Sequence, residues 1–133
     1  MRLAIYLVVG SLLAGTASLA ENVDAVVNAI HNECGEREGF PRATASCIRE
    51  KEDMYGRLLA RAYDLALSVP YNDASLLRES QRHWLKYQET SCELELKRRK
   101  SSVFANSSHA LCLLRTTLNR LEELKGLTER PEE

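Results

Sequence analysis

Apolar residues along this chain recur at steps of three and four, and almost nowhere at steps of two. That rhythm predicts helices. The near absence of alternating segments bounded by turn dipeptides argues against strands. The predicted fold class is all-α: an antiparallel bundle of three long helices plus a short N-terminal helix, stapled by disulfides. The short helix is expected over Val23 to Glu33, with Ala25, Val26, Ala29 and Ile30 turned inward and Cys34-Gly35 as its stop. The stretch "GEREGFPRATA" follows as a linker, because two glycines and Pro41 interrupt regular structure.

The second helix is predicted to start near Thr44 or Ser46, whose hydroxyls can accept from the free amides of a first turn. Its inward stripe reads Ile48, Tyr55, Leu58, Leu59, Ala62, Leu65, Ala66 and Val69, and Pro70 ends it. Asn72 or Asp73 caps the third helix, whose broad face carries Leu76, Leu77, Gln81, Trp84, Leu85, Gln88, Cys92 and Leu96. It closes on Lys97-Arg98-Arg99-Lys100, a basic run that offsets the negative end of a helix dipole more readily than it marks an anionic partner. After the loop "SSVFANSS", a last helix is expected from about Ser107 to Lys125, with Leu111, Leu114, Leu118 and Leu121 in one row and Gly126 as its stop.

The start of the chain changes the picture of where it works. Arg2, the apolar run "LAIYLVVGSLLAG" and the small residues Ser18-Leu19-Ala20 have the form of a signal peptide, residues 1–20. The run is short for spanning a bilayer core of about 30 Å, so cleavage fits better than an uncleaved anchor. Removing 20 of 133 residues leaves 113, one domain over residues 21–133. The mature part then carries 17 basic and 19 acidic side chains, a net charge of −2. So even a balance argues against a nucleic-acid partner, which needs a basic face, and against a membrane-surface role; no stable membrane insertion is expected after signal cleavage.

All four cysteines, Cys34, Cys47, Cys92 and Cys112, lie in the exported part. An even number in a small exported domain reads as two disulfides, and the paired spacing of a zinc site is absent. If the last two helices fold back about their loop, the midpoint of Cys92 and Cys112 falls at 102, close to the loop centre, so the two stand level. Cys34 and Cys47 bracket the linker. The pairs 34–47 and 92–112 are therefore favoured. Folding the second and third helices about residue 71 also brings Cys47 near the level of Cys92, so 47–92 stays open.

Candidate chemistry is thin. His31, His83 and His109 form no i, i+4 pair, and a His109–Cys112 dyad fails once Cys112 is oxidised. The carboxylate pairs Glu50/Asp53 and Glu93/Glu95 sit among polar residues, as on wet helix faces. Asn106-Ser107-Ser108 matches a glycosylation sequon that matters only in a eukaryotic secretory pathway. No phosphate loop or nucleophile elbow occurs. The expectation is a protein that is not an enzyme and uses no cofactor or metal. In "ESQRHWLKYQETSC", Gln81, Trp84 and Gln88 share one side, which reads as packing: an indole in the middle of the bundle, with amides bonded to neighbouring helices.

Cys47, "LLARAY" over 58–63, the run Leu77, Ser80-Gln81, Trp84-Leu85-Lys86-Tyr87 and Cys92, then Cys112, Thr117, Arg120 and Leu124 form an ordered set. In that set the chain resembles the LprI-like lysozyme-inhibitor domain from Cys34 onward. The resemblance implies a small exported bacterial helical domain in which Gln81, Trp84, Tyr87, Cys92 and Cys112 are structural. It also implies a protein partner of lysozyme type. Where that family often has arginine after the tyrosine, this chain has Gln88, which weakens a charge-based role there. With no lipoprotein cysteine, the expected location is periplasmic or secreted. A tight enzyme–inhibitor contact wants a protruding anchor. Val103 and Phe104, apolar on a polar loop, are the candidate contact, although burial energetics favour Phe104 folding back over the bundle end. The competing function is an envelope interaction or assembly factor without effect on lysozyme.

Overall fold

The computed structural model describes residues 19–38 and 42–131. They form α1 (Leu19–Glu38), α2 (Arg42–Ser68), α3 (Ala74–Arg98) and α4 (Ala105–Gly126). The signal-peptide expectation falls outside the described residues, except for Leu19 and Ala20, which open α1. Residues 39–41 of the expected linker also lie outside them. The helical bundle is as the periodicity indicates, but its first helix is 20 residues long and Gly35 does not end it. Glycine in a helix interior costs about 1 kcal/mol, which the burial of Gly35 and the neighbouring Cys34 bridge outweigh. The linker thus shrinks from both sides, since α2 begins at Arg42, ahead of Thr44 and Ser46.

α4 is the centre of the bundle. α2 lies along it most extensively, α1 packs on both, and α3 lies chiefly against α4. Two apolar clusters hold these helices. At the cysteine end Val23, Val27, Ile30 and Cys34 of α1 meet Ile48 of α2 and Ala110, Leu114 and Leu118 of α4. At the opposite end Leu59 and Ala66 of α2 meet Leu77 of α3 and Leu121 and Leu124 of α4, with Trp84 packed at the edge. These levels make α2 and α4 parallel and set α1 and α3 antiparallel to them. Each fully buried side chain such as Leu114 or Leu124 contributes roughly 1.5–3 kcal/mol.

The inward face of α1 differs from expectation: Val23, Val27 and Ile30 are buried, whereas Ala25 and Ala29 are exposed. Valine at i and i+4 hides more apolar surface than alanine, so the helix rotates to bury it. On α2, Leu58 and Leu65 are 40% and 56% exposed, because α4 covers the side of Leu59 and Ala66. On α3, Leu76 and Leu85 also face water.

The turn between α2 and α3 uses its residues as their chemistry suggests. Asp73 is the N-cap of α3, its Oδ1 accepting from the Leu76 amide at 3.0 Å. Asn72 closes the other side of the turn: its Nδ2 donates to the Ala66 carbonyl at 2.9 Å and to the Leu127 carbonyl at 2.8 Å. Tyr71 donates to the Thr128 carbonyl at 2.8 Å, so the end of α4 is tied to this turn. Among the described residues no helix is long and apolar enough to cross a membrane.

Candidate functional site

The cysteines are joined as Cys34–Cys47, with Cα atoms 5.6 Å apart, and Cys92–Cys112, 5.5 Å apart. The 47–92 alternative does not occur, because α2 and α3 each face α4 instead of one another at this level. The second bridge spans the α3–α4 hairpin near its tip. With Cys112 oxidised, His109 has no thiol to activate; burial first, then the Arg49 charge, favours its neutral form.

The glutamines of the "ESQRHWLKYQETSC" segment bind the neighbouring helix. Buried Gln81 accepts from Arg120 Nε at 3.0 Å. Gln88 Nε2 reaches Thr116 Oγ1 at 2.8 Å, Thr117 Oγ1 at 3.0 Å and the Leu113 carbonyl at 3.2 Å. Arg120 is 7% exposed and also donates to Ser80 Oγ at 3.0 Å and to Glu123 Oε2 at 2.8 Å. A buried guanidinium needs such partners on every side, and it has them. Thr117, buried as well, donates to Glu52 Oε1 at 3.1 Å, which brings α2 into the same network. The Glu52 carboxyl is raised above its ordinary range, chiefly by desolvation, with the Thr117 hydrogen bond opposing and Asp53 adding to it. The burial of Arg120 and the role of Glu52 were not visible in the chain. For Arg120 the only signal was the ordered set in which it stands with Thr117; Glu52 had none.

The acidic pairs weighed for catalysis are exposed or ion-paired. Glu50 and Asp53 are exposed on α2. Glu93 pairs with Lys97 at 2.7 Å, and Glu95 with Arg99 and Arg98; these cations hold both carboxyls below the ordinary range. A general acid needs the opposite shift. Among the described residues no group of His, Cys, Asp or Glu is placed to hold a metal ion.

Trp84 and Tyr87 separate here from Gln81. Trp84 is half-buried and Tyr87 is 61% exposed. Both line a groove of ≈ 840 Å³ between α3, α4 and the Val23 end of α1, floored by Thr116, Asn119 and Glu122. The indole thus stands at the bundle's edge and not in its middle. It can close the core from one side while its other side meets solvent.

Val103 and Phe104 form the tip of the hairpin. Phe104 does not fold back: it is 47% exposed and Val103 61%. Backbone demands hold it there. The Phe104 amide donates to Ser102 Oγ at 3.1 Å, and its carbonyl accepts from Ser107 Oγ at 3.0 Å and from the Ser108 amide at 2.9 Å. Phe104 is the N-cap residue of α4 and lacks a side-chain cap of its own, so the neighbouring serines serve the helix start. The tip is therefore a braced turn that presents two apolar side chains to solvent, closed at its base by Cys92–Cys112. Such a tip can enter a cleft without further ordering, and preorganisation of that kind reduces the cost of association.

The family model described as "Lysozyme inhibitor LprI" matches residues 34–124, from the first cysteine to the last fully buried leucine. No curated protein and no solved structure matches the chain.

Proposed function

This chain belongs to the LprI lysozyme-inhibitor family, and from that premise we propose that it binds and inhibits a lysozyme-type cell-wall hydrolase through the Val103–Phe104 tip. Two disulfides and membership of an inhibitor family suggest an extracytoplasmic protein; the periplasm, reached by export and cleavage after Ala20, is the finer part of the proposal. The observation that carries the reading is the tip itself. Two exposed apolar side chains stand on a turn in which the Phe104 amide and carbonyl are both hydrogen-bonded and whose base is crosslinked. Apolar anchors of this kind supply most of the energy of tight interfaces when a partner's pocket desolvates them. The net charge of −2 on residues 21–133 adds weak steering towards a basic enzyme.

The test is a lysis assay with the chain from Glu21 onward. Micromolar protein is expected to slow the loss of turbidity caused by lysozyme. Phe104→Ala should weaken the effect by about tenfold or more, as loss of a central anchor does. Undiminished lysis at these concentrations would reject the reading and leave an envelope interaction factor in its place.

A further inference from the structure

One flank of α3, beside the groove that His83 and Tyr87 line and with Ser80 reaching Arg120, carries a row that stays exposed. Leu76, Ser80, His83, Tyr87, Thr90 and Leu94 follow one another at steps of four, three, four, three and four, and every one is exposed. Such spacing keeps residues on one stripe of a helix and is the seam spacing of coiled coils. No charged Asp, Glu, Lys or Arg stands on the row, although α3 is otherwise rich in them. Its three largest side chains, Leu76, Tyr87 and Leu94, are 63%, 61% and 61% exposed.

The order of the row is symmetric about position 85. Leucine stands at both ends, a small hydroxyl residue next on each side, and His83 and Tyr87 flank the centre. When two such helices run antiparallel about that point, Leu76 comes level with Leu94 of the other copy, Ser80 with Thr90, and His83 with Tyr87. Three residues beyond the leucines, Asp73 comes level with Lys97 of the other copy at both ends. A two-fold interface requires this kind of self-complementarity, in which one patch matches its own reverse. The flanking charges are already matched within each helix, Lys86 with Glu89 and Glu93 with Lys97, so they present little repulsion.

We propose that this face pairs α3 antiparallel with α3 of a second copy of the chain, forming a two-fold dimer. The seam extends about 27 Å at the helical rise. That is a small interface with three large apolar residues per copy, so the dimer is weak and forms in the micromolar range or above. The Val103–Phe104 tip lies outside the row, and the pairing does not depend on the inhibitor reading.

Sedimentation equilibrium of the chain from Glu21, from micromolar to millimolar concentration, tests it. A monomer–dimer equilibrium is expected. Leu94→Lys should weaken association about a hundredfold, since two-fold symmetry introduces the substitution twice, while circular dichroism keeps its helical signal. Orientation is read from Ser80→Cys and Thr90→Cys proteins: a mixture should crosslink across the two variants, and neither alone with itself. A monomer at every concentration, a dimer indifferent to Leu94→Lys, or self-crosslinking of Ser80→Cys would each overturn the proposal. Were the chain monomeric while Leu94→Lys impaired inhibition, the seam would belong to the hydrolase contact instead.

Discussion

The two helices that flank the α2–α4 pair are held by different physics. α1 is attached by aliphatic burial: Val23, Val27 and Ile30 enter a cluster with Ile48, Leu114 and Leu118, and Cys34–Cys47 clamps its end. α3 is attached largely by polar groups. Only Leu77, Gln81 and Cys92 are buried on it, and its hold on α4 runs through Gln81, Gln88 and Arg120 beside the Cys92–Cys112 bridge and the packing of Leu77 and Trp84. One helix spends its apolar residues on the core, whereas the other leaves Leu76, Tyr87 and Leu94 in solvent. On the proposed function, α1 belongs to the scaffold and α3, with the tip that follows it, to the presenting surface. Hydrogen bonds suit that task, because they fix the position of a helix without consuming its hydrophobic side chains.

Five variants would break or sharpen the contrast. The largest effect belongs to the aliphatic side: Leu114→Ala, at a fully buried position, should cost about 2–5 kcal/mol in urea unfolding. Inhibition should persist in whatever fraction remains folded. Next is the crosslink of the α3–α4 hairpin. Replacing Cys92 and Cys112 together by alanine should cost about 3 kcal/mol, as expected for a loop of this length, and loosen the tip as well. Smaller again is Arg120→Ala, which strands Gln81 and Ser80 and should cost roughly 1–3 kcal/mol. Native-state hydrogen exchange should show its effect concentrated in α3 and not in α1. If α1 amides lose protection equally, the two attachments are not separable.

A smaller effect still is a pH dependence. Glu52 holds its proton more tightly in the folded chain than in the unfolded one, chiefly through desolvation. The folded state therefore binds more protons in the window above the ordinary carboxylate range. Stability from this group is fully present below that range and declines as pH rises through the raised folded value. Glu52→Gln keeps an acceptor for Thr117 and removes the charge. Its stability relative to the native chain should rise modestly towards neutral pH and vanish in acid, measured as the difference between paired thermal melts. At the tip, Val103→Ser should change stability by less than about 0.5 kcal/mol, the usual range for exposed sites. Its expected consequence is confined to the lysis assay.

Local chemistry was sufficient for the helices, for Pro70 as a stop and for Asp73 as a cap, since each depends on a few neighbours in the chain. Hairpin symmetry likewise placed Cys92 level with Cys112, because two helices of equal rise must come into step about their loop. What the chain alone left open were the choices made by competition between surfaces. The valines of α1 displaced the alanines, and α4 selected Leu59 and Ala66 over Leu58 and Leu65. Gly35 stayed helical beside a buried bridge, and Phe104 stayed outside because its backbone serves the start of α4. Arg120 stood in the ordered set, but its burial became legible only once α3 and α4 surrounded it. The sequence determined which segments are helical, since propensity, capping and periodicity act over one or two turns. Only the tertiary structure decided which face of each helix turns inward, because burial is gained between helices and no single helix contains its own solvent.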